Sequence, residues 1–472
     1  MFPQALTFDD VLLVPQFSSL TTRKDVSLET TLVPGLTLQT PVVASNMDTV
    51  CESDMAIKMA EMGGIGFIHR YLTISEQAEE VRRVKQHHDF VIWDPYMIAA
   101  SAPVELAVDL MVDLNVSSVM VVDEANGEFV GVLTLKDATA FKGDIETAQV
   151  SEALLYDTSE FVTGSVGILA ADALSLMQQH RIGKLPLLGE GRQVVGLVTR
   201  KSVTKEDAYP LATRDSQGRL AVGAAVGVNG DYLARVEALL AAEVDVIVLD
   251  IAHGHSSMCL DAIKEIKSRF DVPVVAGNVA TAAGALALAE AGADCIKVGV
   301  GPGSICTTRV VTGHGVPQLT AILNACRAVE VPVIADGGIR KSGDIVKALA
   351  AGAHTVMLGS LLAGTDESPG QVISRDGSRY KMIRGMASFG AALGRSKRAG
   401  DKVSEAAPEG VEALVPYRGS AEEIVSNLMG GVRSGFSYSG ATCLEELWQN
   451  AEFVQISPAG LVESRHHDVK AL

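Results

Sequence analysis

Short apolar runs recur along this chain, and eight of them predict β-strands. Most of these runs are continuous rather than alternating, which is typical of parallel strands that are buried on both faces. Segments with helical periodicity lie between them, for example Ser53–Glu61, Asp231–Ala242, Met258–Phe270 and Ala280–Ala291. The predicted strands are Pro41–Asn46, Gly64–His69, Ala221–Gly227, Val246–Ala252, Pro273–Val279, Cys295–Gly301, Pro332–Gly338 and Thr355–Ser360.

Eight alternations of strand and helix predict an α/β protein with a (β/α)8 TIM barrel. An internal repeat supports this prediction, because residues 272–299 (VPVVAGNVATAAGALALAEAGADCIKVG) parallel residues 331–359 (VPVIADGGIRKSGDIVKALAAGAHTVMLG). The alternative that the pattern leaves open is an open, doubly wound parallel sheet.

The interval between the second and third predicted strands does not follow this alternation of strand and helix. It contains two copies of a smaller unit, in which a helical stretch, Pro103–Leu114 or Val166–His180, precedes two strands. The second strand of each copy contains a glycine, Gly131 or Gly196. Units this small bury a core best by pairing, so we expect both copies to form one domain. We therefore predict a barrel domain from residues 1–92 and 208–472, with an inserted domain at 93–207.

The two copies resemble a tandem pair of CBS modules, the Bateman arrangement, which in many proteins binds adenine or guanine nucleotides. The resemblance implies an ATP or GTP effector, with Thr134 and Asp137 matching the Thr-x-x-Asp pattern whose carboxylate accepts ribose hydroxyls. In the second copy Ser202 replaces that aspartate, which argues against a second nucleotide site. The alternative is that the inserted domain has only a packing role and binds no ligand.

Composition narrows the class of protein. The 472 residues are 47% hydrophobic and 20% charged, as in a globular protein. A net charge of −18 argues against nucleic-acid partners. No apolar run approaches the roughly 18–20 residues that span a bilayer, and the acidic N-terminus is unlike a signal peptide. Six cysteines without a CxxC pair predict free thiols and a cytoplasmic protein.

Candidate chemistry is concentrated in the stretch KVGVGPGSICTTRVVTGHGVPQLTAI, residues 297–322. Its glycines let backbone groups approach a ligand closely, and Cys306 in such a loop is a candidate nucleophile. The alternative is a structural turn with a small buried cysteine. TIM barrels commonly bind phosphate on the loops after strands seven and eight, so a phosphorylated small molecule is expected beside Cys306.

The segments GPGSICTTR and TGHGVPQ, with ALTFDDVLLVP at residues 5–15 and the tail AGLVESRHHDV, resemble the inosine monophosphate dehydrogenase and guanosine monophosphate reductase family. The resemblance implies a purine nucleoside monophosphate substrate, a covalent adduct of Cys306 at purine C2, and hydride exchange with a nicotinamide cofactor. No G-x-G-x-x-G Rossmann motif is present, so the cofactor is expected to dock over the barrel mouth.

The resemblance also assigns roles to individual residues. Asp336 would accept the ribose hydroxyls, and Asp250 with Gly299 and Gly301 would lie beside the cofactor. Ile383 departs from the dehydrogenase pattern, in which a tyrosine at this position contacts the phosphate. The remaining substrate-binding residues implied are Asn46, Ser304, Gly337, Gly338, Gly359, Ser360, Gly385, Met386 and Ala387.

A potassium ion is the second cofactor that the resemblance implies. The carbonyls of Gly301, Gly303 and Cys306 would coordinate it, completed by Glu463 and Ser464 of the partner subunit. The resemblance also implies a homotetramer, or a higher homo-oligomer.

The two reactions of this family differ in how the adduct is resolved. Dehydrogenases hydrolyse it with an Arg-Tyr pair on a flap, but the corresponding residues 391–410 contain no tyrosine. Arg395 and Arg398 are the candidates to substitute for this pair, and neither has an adjacent tyrosine. Glu409 and Thr308 match the reductase pair that protonates departing ammonia, and Asn46 also matches reductases. We predict an NADPH-dependent GMP reductase with Cys306, Thr308 and Glu409 as catalytic residues.

Two other functions remain as alternatives. The CBS insertion, the ADGGI and LGS motifs and the C-terminal tail resemble a bacterial IMP dehydrogenase that uses NAD. A catalytically silent purine-nucleotide sensor built on the CBS pair is the third possibility.

Overall fold

The computed structural model describes residues 2–87, 90–93, 95–114, 116–155, 158–203, 209–388, 390 and 407–465. The chain divides into two compact units, Met1–Lys85 with Leu211–Leu472, and Gln86–Pro210. The second unit is somewhat longer than the inserted domain expected at 93–207. Within the described ranges, no helix combines the length and the apolar character that crossing a membrane would require.

The first unit is built around a closed barrel of eight parallel strands, each lying within one of the eight predicted runs. The TIM barrel is therefore confirmed. The open doubly wound sheet is wrong because the last strand pairs with the first, with Leu358 opposite Ala44. In chain order the strands are β1 (Val42–Ala44), β2 (Ile65–Ile68), β3 (Gly223–Val226), β4 (Val246–Asp250), β5 (Val274–Val279), β6 (Cys295–Val298), β7 (Val333–Asp336) and β8 (Thr355–Leu358).

Helices follow the strands and form the outer layer of the barrel. They bury one apolar face against the sheet, as the helical periodicity predicts. The helices that follow β1 to β8 in order are Ser53–Glu61, Ile74–Gln86, Tyr232–Ala241, Ser257–Arg269, Ala282–Glu290, Gln318–Cys326, Ser342–Ala350 and Ala421–Tyr438. Shorter helices are Thr308–Thr312, Leu444–Asn450 and Pro458–Glu463, and an antiparallel sheet contains Ile373–Arg375, Ser378–Arg384 and Glu412–Pro416.

The interior of the barrel is a packed core and not a channel. Large side chains from several strands, including Phe67, Val248 and Met357, form one buried cluster. Leu32 and Leu38 belong to the same cluster and come from a hairpin made of Thr30–Val33 and Leu36–Leu38. Because the interior is filled, ligands are restricted to the loops at the carboxyl ends of the strands.

The N-terminal segment is fixed against the helices that follow β6 and β7. Phe8 is 1% exposed, and its carbonyl accepts a hydrogen bond from Lys347 Nζ at 2.9 Å. The Leu6 amide donates to Thr320 Oγ1 at 2.7 Å. Strand Val11–Leu13 then pairs antiparallel with Phe453–Gln455. These contacts give the ALTFDDVLL segment a fixed position in the barrel unit.

The second unit contains two similar halves, an arrangement consistent with a tandem CBS pair. Gly131 lies opposite Val121 in the first half, and Gly196 lies opposite Leu187 in the second. Each half has its own small core, and a cluster including Met120, Phe129 and Leu197 joins the two. The strands are Met97–Ala99, Ser118–Val122 and Phe129–Thr134, and Gly164–Ser165, Lys184–Leu188, Val194–Thr199 and Val91–Ile92.

The helices of this unit are Val104–Asp113 and Leu135–Ala140 in the first half, and Ala170–Gln179 and Arg200–Val203 in the second. The prediction that a helical stretch begins at Val166 is wrong. Gly164–Ser165 forms a strand, and Gly167 then takes a left-handed conformation at φ +83°, so the helix begins only after Leu169.

Candidate active site

Two adjoining cavities open at the carboxyl ends of the barrel strands. The first, here called the thiol cavity, has a volume of about 330 Å³, and the second, the serine cavity, of about 310 Å³. Ser45, Met47, Gly303, Ile305 and Asp336 line both. Candidate residues lining the thiol cavity are Asn46, Asp250, Gly299, Gly301, Gly303, Cys306, Thr308, Asp336, Gly385, Met386, Ala387 and Glu409. Those lining the serine cavity are Gly303, Ser304, Asp336, Gly337, Gly338, Gly359 and Ser360.

A short hydrogen-bonded chain connects the Cys306 thiol to a carboxylate. Cys306 Sγ lies 3.2 Å from Thr308 Oγ1, and the Thr308 hydroxyl lies 2.8 Å from Glu409 Oε2. Thr308 donates a hydrogen bond to Glu409, so the Thr308 oxygen remains available to accept from the thiol. The arrangement can move a proton between a group bound at Cys306 and Glu409.

Backbone contacts hold Glu409 in this position. The Thr307 amide donates to the Glu409 carbonyl at 2.9 Å, and the Glu409 amide donates to the Ala387 carbonyl at 3.0 Å. Gly410 forms bridges with both Cys306 and Ser388. Glu409 is thereby fixed between the cysteine loop and the segment that contains Ala387.

Two glycines allow the loops to approach one another. A Cβ on Gly299, whose φ is +154°, would lie 1.9 Å from the Asp336 carbonyl oxygen. A Cβ on Gly337, whose φ is +94°, would lie 2.8 Å from the Pro302 side chain. Both positions therefore require glycine, because the loops after β6 and β7 are in direct contact there.

The other cysteines differ from Cys306 in environment. All six are free, as the sequence predicts. Burial raises the pKa of Cys259 and of Cys326 to about 12, and raises the pKa values of Cys51 and Cys295 as well. These four thiols therefore stay protonated and unreactive near neutral pH. Cys306, by contrast, lines the thiol cavity.

The loop that contains Gly385, Met386 and Ala387 is held by hydrogen bonds of Arg384 and Tyr71. Arg384 donates through Nε to Asp48 Oδ2 at 2.8 Å, and its amide donates to Thr49 Oγ1 at 3.3 Å. The Tyr71 hydroxyl donates to the Met386 carbonyl. Sequence reasoning assigned no role to Tyr71, Arg384 or Asp48, because only the tertiary structure brings the loops after β1 and β2 to this segment.

Ile383 and a charged pair line the serine cavity together with the glycines and serines. Arg340 contacts Asp9 at 2.7 Å, and this hydrogen bond holds the pKa of Asp9 below its usual range. Ile383, which is 1% exposed, offers no polar atom. Donors for an anion in this cavity are therefore hydroxyls, backbone amides and arginine.

A buried polar network below the thiol cavity is the largest feature that sequence reasoning missed. Lys297 and Asn278 both line that cavity and connect Asp250 with Asp336. Asn46 joins this network by donating to Asp250 Oδ2 at 2.9 Å. A lysine and an asparagine inside otherwise apolar strands were the available signal.

The remaining candidate residues lie outside both cavities. Glu463 ends the helix Pro458–Glu463, and Ser464 donates to the Gly460 carbonyl at 2.8 Å. In the inserted unit, Thr134 caps a helix and Asp137 accepts from its hydroxyl at 2.5 Å. Arg395 and Arg398 fall outside the described residues. In the part of the chain that is described, no group of three His, Cys, Asp or Glu side chains is arranged to hold a metal ion.

Comparisons with known proteins agree with this geometry. A family model described as "IMP dehydrogenase / GMP reductase domain" matches residues 5–467. Inosine-5'-monophosphate dehydrogenase of Nitrosopumilus maritimus is 48% identical over 478 residues, covering 99% of each chain. GMP reductase of Leishmania major is 45% identical over 489 residues, covering 100% of this chain and 98% of the relative.

A similar solved structure is a cysteine-to-alanine variant of GMP reductase from Trypanosoma brucei in complex with guanosine 5'-monophosphate. It has a TM-score of 0.79 and 44% identity, and the match covers 99% of each chain. The chain belongs to the family of IMP dehydrogenases and GMP reductases, which are oxidoreductases that use a nicotinamide dinucleotide.

Proposed function

We propose that this protein is a GMP reductase, which converts GMP and NADPH to IMP, ammonia and NADP⁺. The observation that carries the proposal is the chain of contacts from Cys306 through Thr308 to Glu409. It provides a proton path for a leaving amine, while residues 391–410 lack the tyrosine expected of a water-activating flap. The full-length similarity to reductases from Leishmania major and Trypanosoma brucei supports the same reaction.

The chemistry follows from these contacts. The Cys306 thiol adds to purine C2 and passes its proton through Thr308 to Glu409, and this proton returns to the exocyclic nitrogen as its bond to C2 breaks and ammonia departs. A reduced nicotinamide held beside Asp250, Gly299 and Gly301 would supply the hydride that C2 accepts. Loss of the thiolate from C2 then gives IMP, so one GMP, one NADPH and one proton yield one IMP, one ammonia and one NADP⁺.

The two cavities divide the substrate between them. In this proposal the purine lies in the thiol cavity beside Met386, and Asp336, which lines both cavities, accepts the ribose hydroxyls. The phosphate lies in the serine cavity with Ser304, Gly337, Gly338, Gly359 and Ser360. Arg340 lines this cavity and offers the donor that Ile383 lacks.

The residues proposed for the cofactor and for the cation also lie on or beside the cysteine loop. Asp250, Gly299 and Gly301 line the thiol cavity where the nicotinamide would lie. Gly301 has φ +83°, and a Cβ there would lie 2.5 Å from the Arg309 side chain, so this position of the loop requires glycine. The carbonyls of Gly301, Gly303 and Cys306 would hold potassium, with Glu463 and Ser464 of the partner subunit in a homotetramer.

The inserted unit would bind a purine triphosphate effector, ATP or GTP, at its first half. Thr134 and Asp137 form the cap of the helix Leu135–Ala140, so the carboxylate lies at a helix N-terminus. In the second half, Ser202 and Thr199 make the equivalent cap through two hydrogen bonds of 3.0 Å, without a carboxylate.

IMP dehydrogenase is the second candidate, favoured by the identity of 48% to the relative from Nitrosopumilus maritimus. The insertion does not favour it, because the Leishmania major reductase also matches over the whole chain. A silent nucleotide sensor would not need the intact contacts between Cys306, Thr308 and Glu409.

An ultraviolet assay with four mixtures separates these functions: GMP with NADPH, GMP with NADH, IMP with NAD⁺, and IMP with NADP⁺. The proposal expects oxidation of NADPH with GMP and formation of IMP, with a higher kcat/KM for NADPH than for NADH. Efficient NAD⁺-dependent formation of xanthosine monophosphate would replace the proposal with the dehydrogenase, and inactivity in all four mixtures would favour the sensor.

A further inference from the structure

Lys297 is a buried cation that contacts two carboxylates lining the thiol cavity. It lies in β6, is 2% exposed, and its Nζ donates to Asp250 Oδ1 at 2.6 Å and to Asp336 Oδ2 at 2.9 Å. These carboxylates end β4 and β7, on opposite sides of the lysine. One ammonium is therefore shared between the aspartate proposed for the cofactor and the aspartate proposed for the substrate.

Asn278 completes the geometry around this ammonium. Its side-chain oxygen accepts from Lys297, while its Nδ2 donates to Asp336 Oδ2 at 2.8 Å and to the Gly299 carbonyl at 2.7 Å. The pairing of β5 with β6 shifts between Gly277 and Val279, so Asn278 lies outside the regular register. This bulge lets its amide contact Lys297 and Asp336 together.

Without Lys297, the carboxylates of Asp250 and Asp336 would lie close together with no shared cation. Burial by itself would raise the pKa of Asp250, but the charge and hydrogen bond of Lys297 are the largest of the contributions that instead hold that pKa below its usual range. Arg70 from the end of β2 and the Asn46 amide act in the same direction. Two neighbouring carboxylates with no cation between them would share a proton, because like charges at short range do not both ionise.

Other titratable groups also border the site. Cys306 and Glu409 line the thiol cavity, and Cys259 lies close enough to Asp250 for that charge to raise its thiol pKa. Neither Cys306 nor Glu409 hydrogen-bonds to Lys297 among the described contacts. The lysine is therefore separate from the proton path that begins at the thiol.

We propose that Lys297 is a positioning residue, a shared counter-ion that balances the charges of Asp250 and Asp336 and holds both carboxylates directed toward the cofactor and the substrate. Binding of the cofactor or the nucleotide then changes the affinity for the other ligand. A hydrogen bond from the bound ligand to one carboxylate changes how strongly that carboxylate interacts with the shared Lys297 ammonium. Linkage requires the effect to be equal in both directions. The inference rests on the proposed function for the roles of the two aspartates, but not on which of the family's two reactions occurs.

The test compares the pH dependence of kcat/KM in the wild type, Lys297→Met and Lys297→Arg, using whichever nucleotide and cofactor pair supports turnover. In Lys297→Met one carboxylate should bind a proton, so KM for both ligands should rise about tenfold or more near neutral pH and recover as pH increases. The kcat should change less. Lys297→Arg keeps the charge and should keep the wild-type profile.

Lys85 provides a matched control. It is also a buried lysine between two aspartates, at 2.9 Å from Asp215 and 2.6 Å from Asp245, but it lines neither cavity. Lys85→Met should lower thermal stability without introducing a new ionisation in the KM profile. If Lys297→Met does not fold, Lys297→Gln, which keeps a donor and loses the charge, carries the same expectation.

A binding experiment measures the coupling separately from turnover. Calorimetric titration of the cofactor into the Cys306→Ala variant, with and without saturating nucleotide, gives the ratio of the two affinities. In the double variant with Cys306→Ala and Lys297→Met, the cofactor affinities with and without nucleotide should be nearly equal, so their ratio should approach one. A folded Lys297→Met protein with the wild-type pH profile and an unchanged affinity ratio would overturn the proposal. Turnover with IMP and NAD⁺ in place of GMP and NADPH would refute only the proposed reaction.

Discussion

The Thr308 hydroxyl donates to the Glu409 carboxylate at 2.8 Å, although 101 residues separate the two along the chain. Glu409 is therefore positioned by the cysteine loop and not by its neighbours in sequence. In the proposed reductase reaction, this contact connects the Glu409 carboxylate to the site from which ammonia leaves. The roles of Glu409 and Cys306 can each be tested.

Glu409→Gln should slow the release of ammonia more than the transfer of hydride, because it removes a general acid whose contribution is typically about 10²- to 10⁴-fold. Single-turnover measurements should show the deamination step lagging, while a chemically supplied intermediate is still reduced. Glu423→Gln, on the exposed face of the helix Ala421–Tyr438, is the control and should behave as wild type. Equal slowing of both steps would mean that Glu409 only shapes the cavity.

Cys306→Ala should abolish turnover and leave nucleotide affinity roughly unchanged, because the sulfur forms the adduct and contributes little to docking. Calorimetry with GMP measures affinity, and the ultraviolet assay measures turnover. Cys443→Ala changes another partly buried cysteine that lies outside both cavities, and it should retain activity. Appreciable turnover by Cys306→Ala would contradict covalent catalysis.

Asp137→Ser should weaken the response to ATP or GTP without disrupting the helix Leu135–Ala140. The second half of the inserted unit already carries serine here, and Ser202 makes the same cap with Thr199. The substitution therefore removes the carboxylate alone, whereas alanine would also remove the side-chain acceptor for the Thr134 amide that completes the capping box. Calorimetric titration of each triphosphate, with and without GMP, measures the response.

Ser202→Ala is the matched control for this prediction, because it alters the cap of the second half and leaves Asp137 in place. Its effector affinity should remain that of the wild type. If neither triphosphate binds the wild-type protein, or if binding leaves GMP affinity unchanged, the inserted unit serves packing or assembly.

Acid should destabilise the barrel partly through His354. Burial lowers the pKa of His354, opposed only partly by the charge of Glu445, and Nδ1 accepts from the Val333 amide at 3.3 Å. When the pH falls below 6.5, the ordinary pKa of histidine, His354 in the unfolded chain binds a proton that His354 in the folded protein does not. Stability should therefore fall as pH decreases from 6.5 toward the folded pKa, by at most about 1.4 kcal/mol per pH unit.

Trp448, whose ring centroid lies 4.9 Å from that of His354, reports this region by fluorescence in a Trp93→Phe background. Denaturant titrations at pH 7.5 and 5.5 give the free energy of unfolding at each pH. The difference between the two values should be smaller for His354→Asn than for the wild type, because asparagine keeps an acceptor and removes the titrating group. His180→Asn, at an exposed histidine, should leave the difference unchanged. An identical acid response in His354→Asn would exclude His354 as its source.

The sequence by itself determined the barrel, because continuous apolar runs and helical periodicity are local properties that each segment carries alone. All eight strands lie within the predicted runs, and the helix Ser53–Glu61 has the predicted bounds. The cysteine loop and the glycine loops after β7 and β8 were also predicted, since residues at the carboxyl ends of barrel strands converge on one face.

Only the tertiary structure decided which side chains meet within that face. Lys297 and Asn278 stand in apolar strands, and their importance depends on contacts with Asp250 and Asp336, which come from different strands. Tyr71 contacts the Met386 carbonyl across 315 residues. Such contacts depend on the register and direction of strands after the barrel closes, and no periodicity along the chain encodes them.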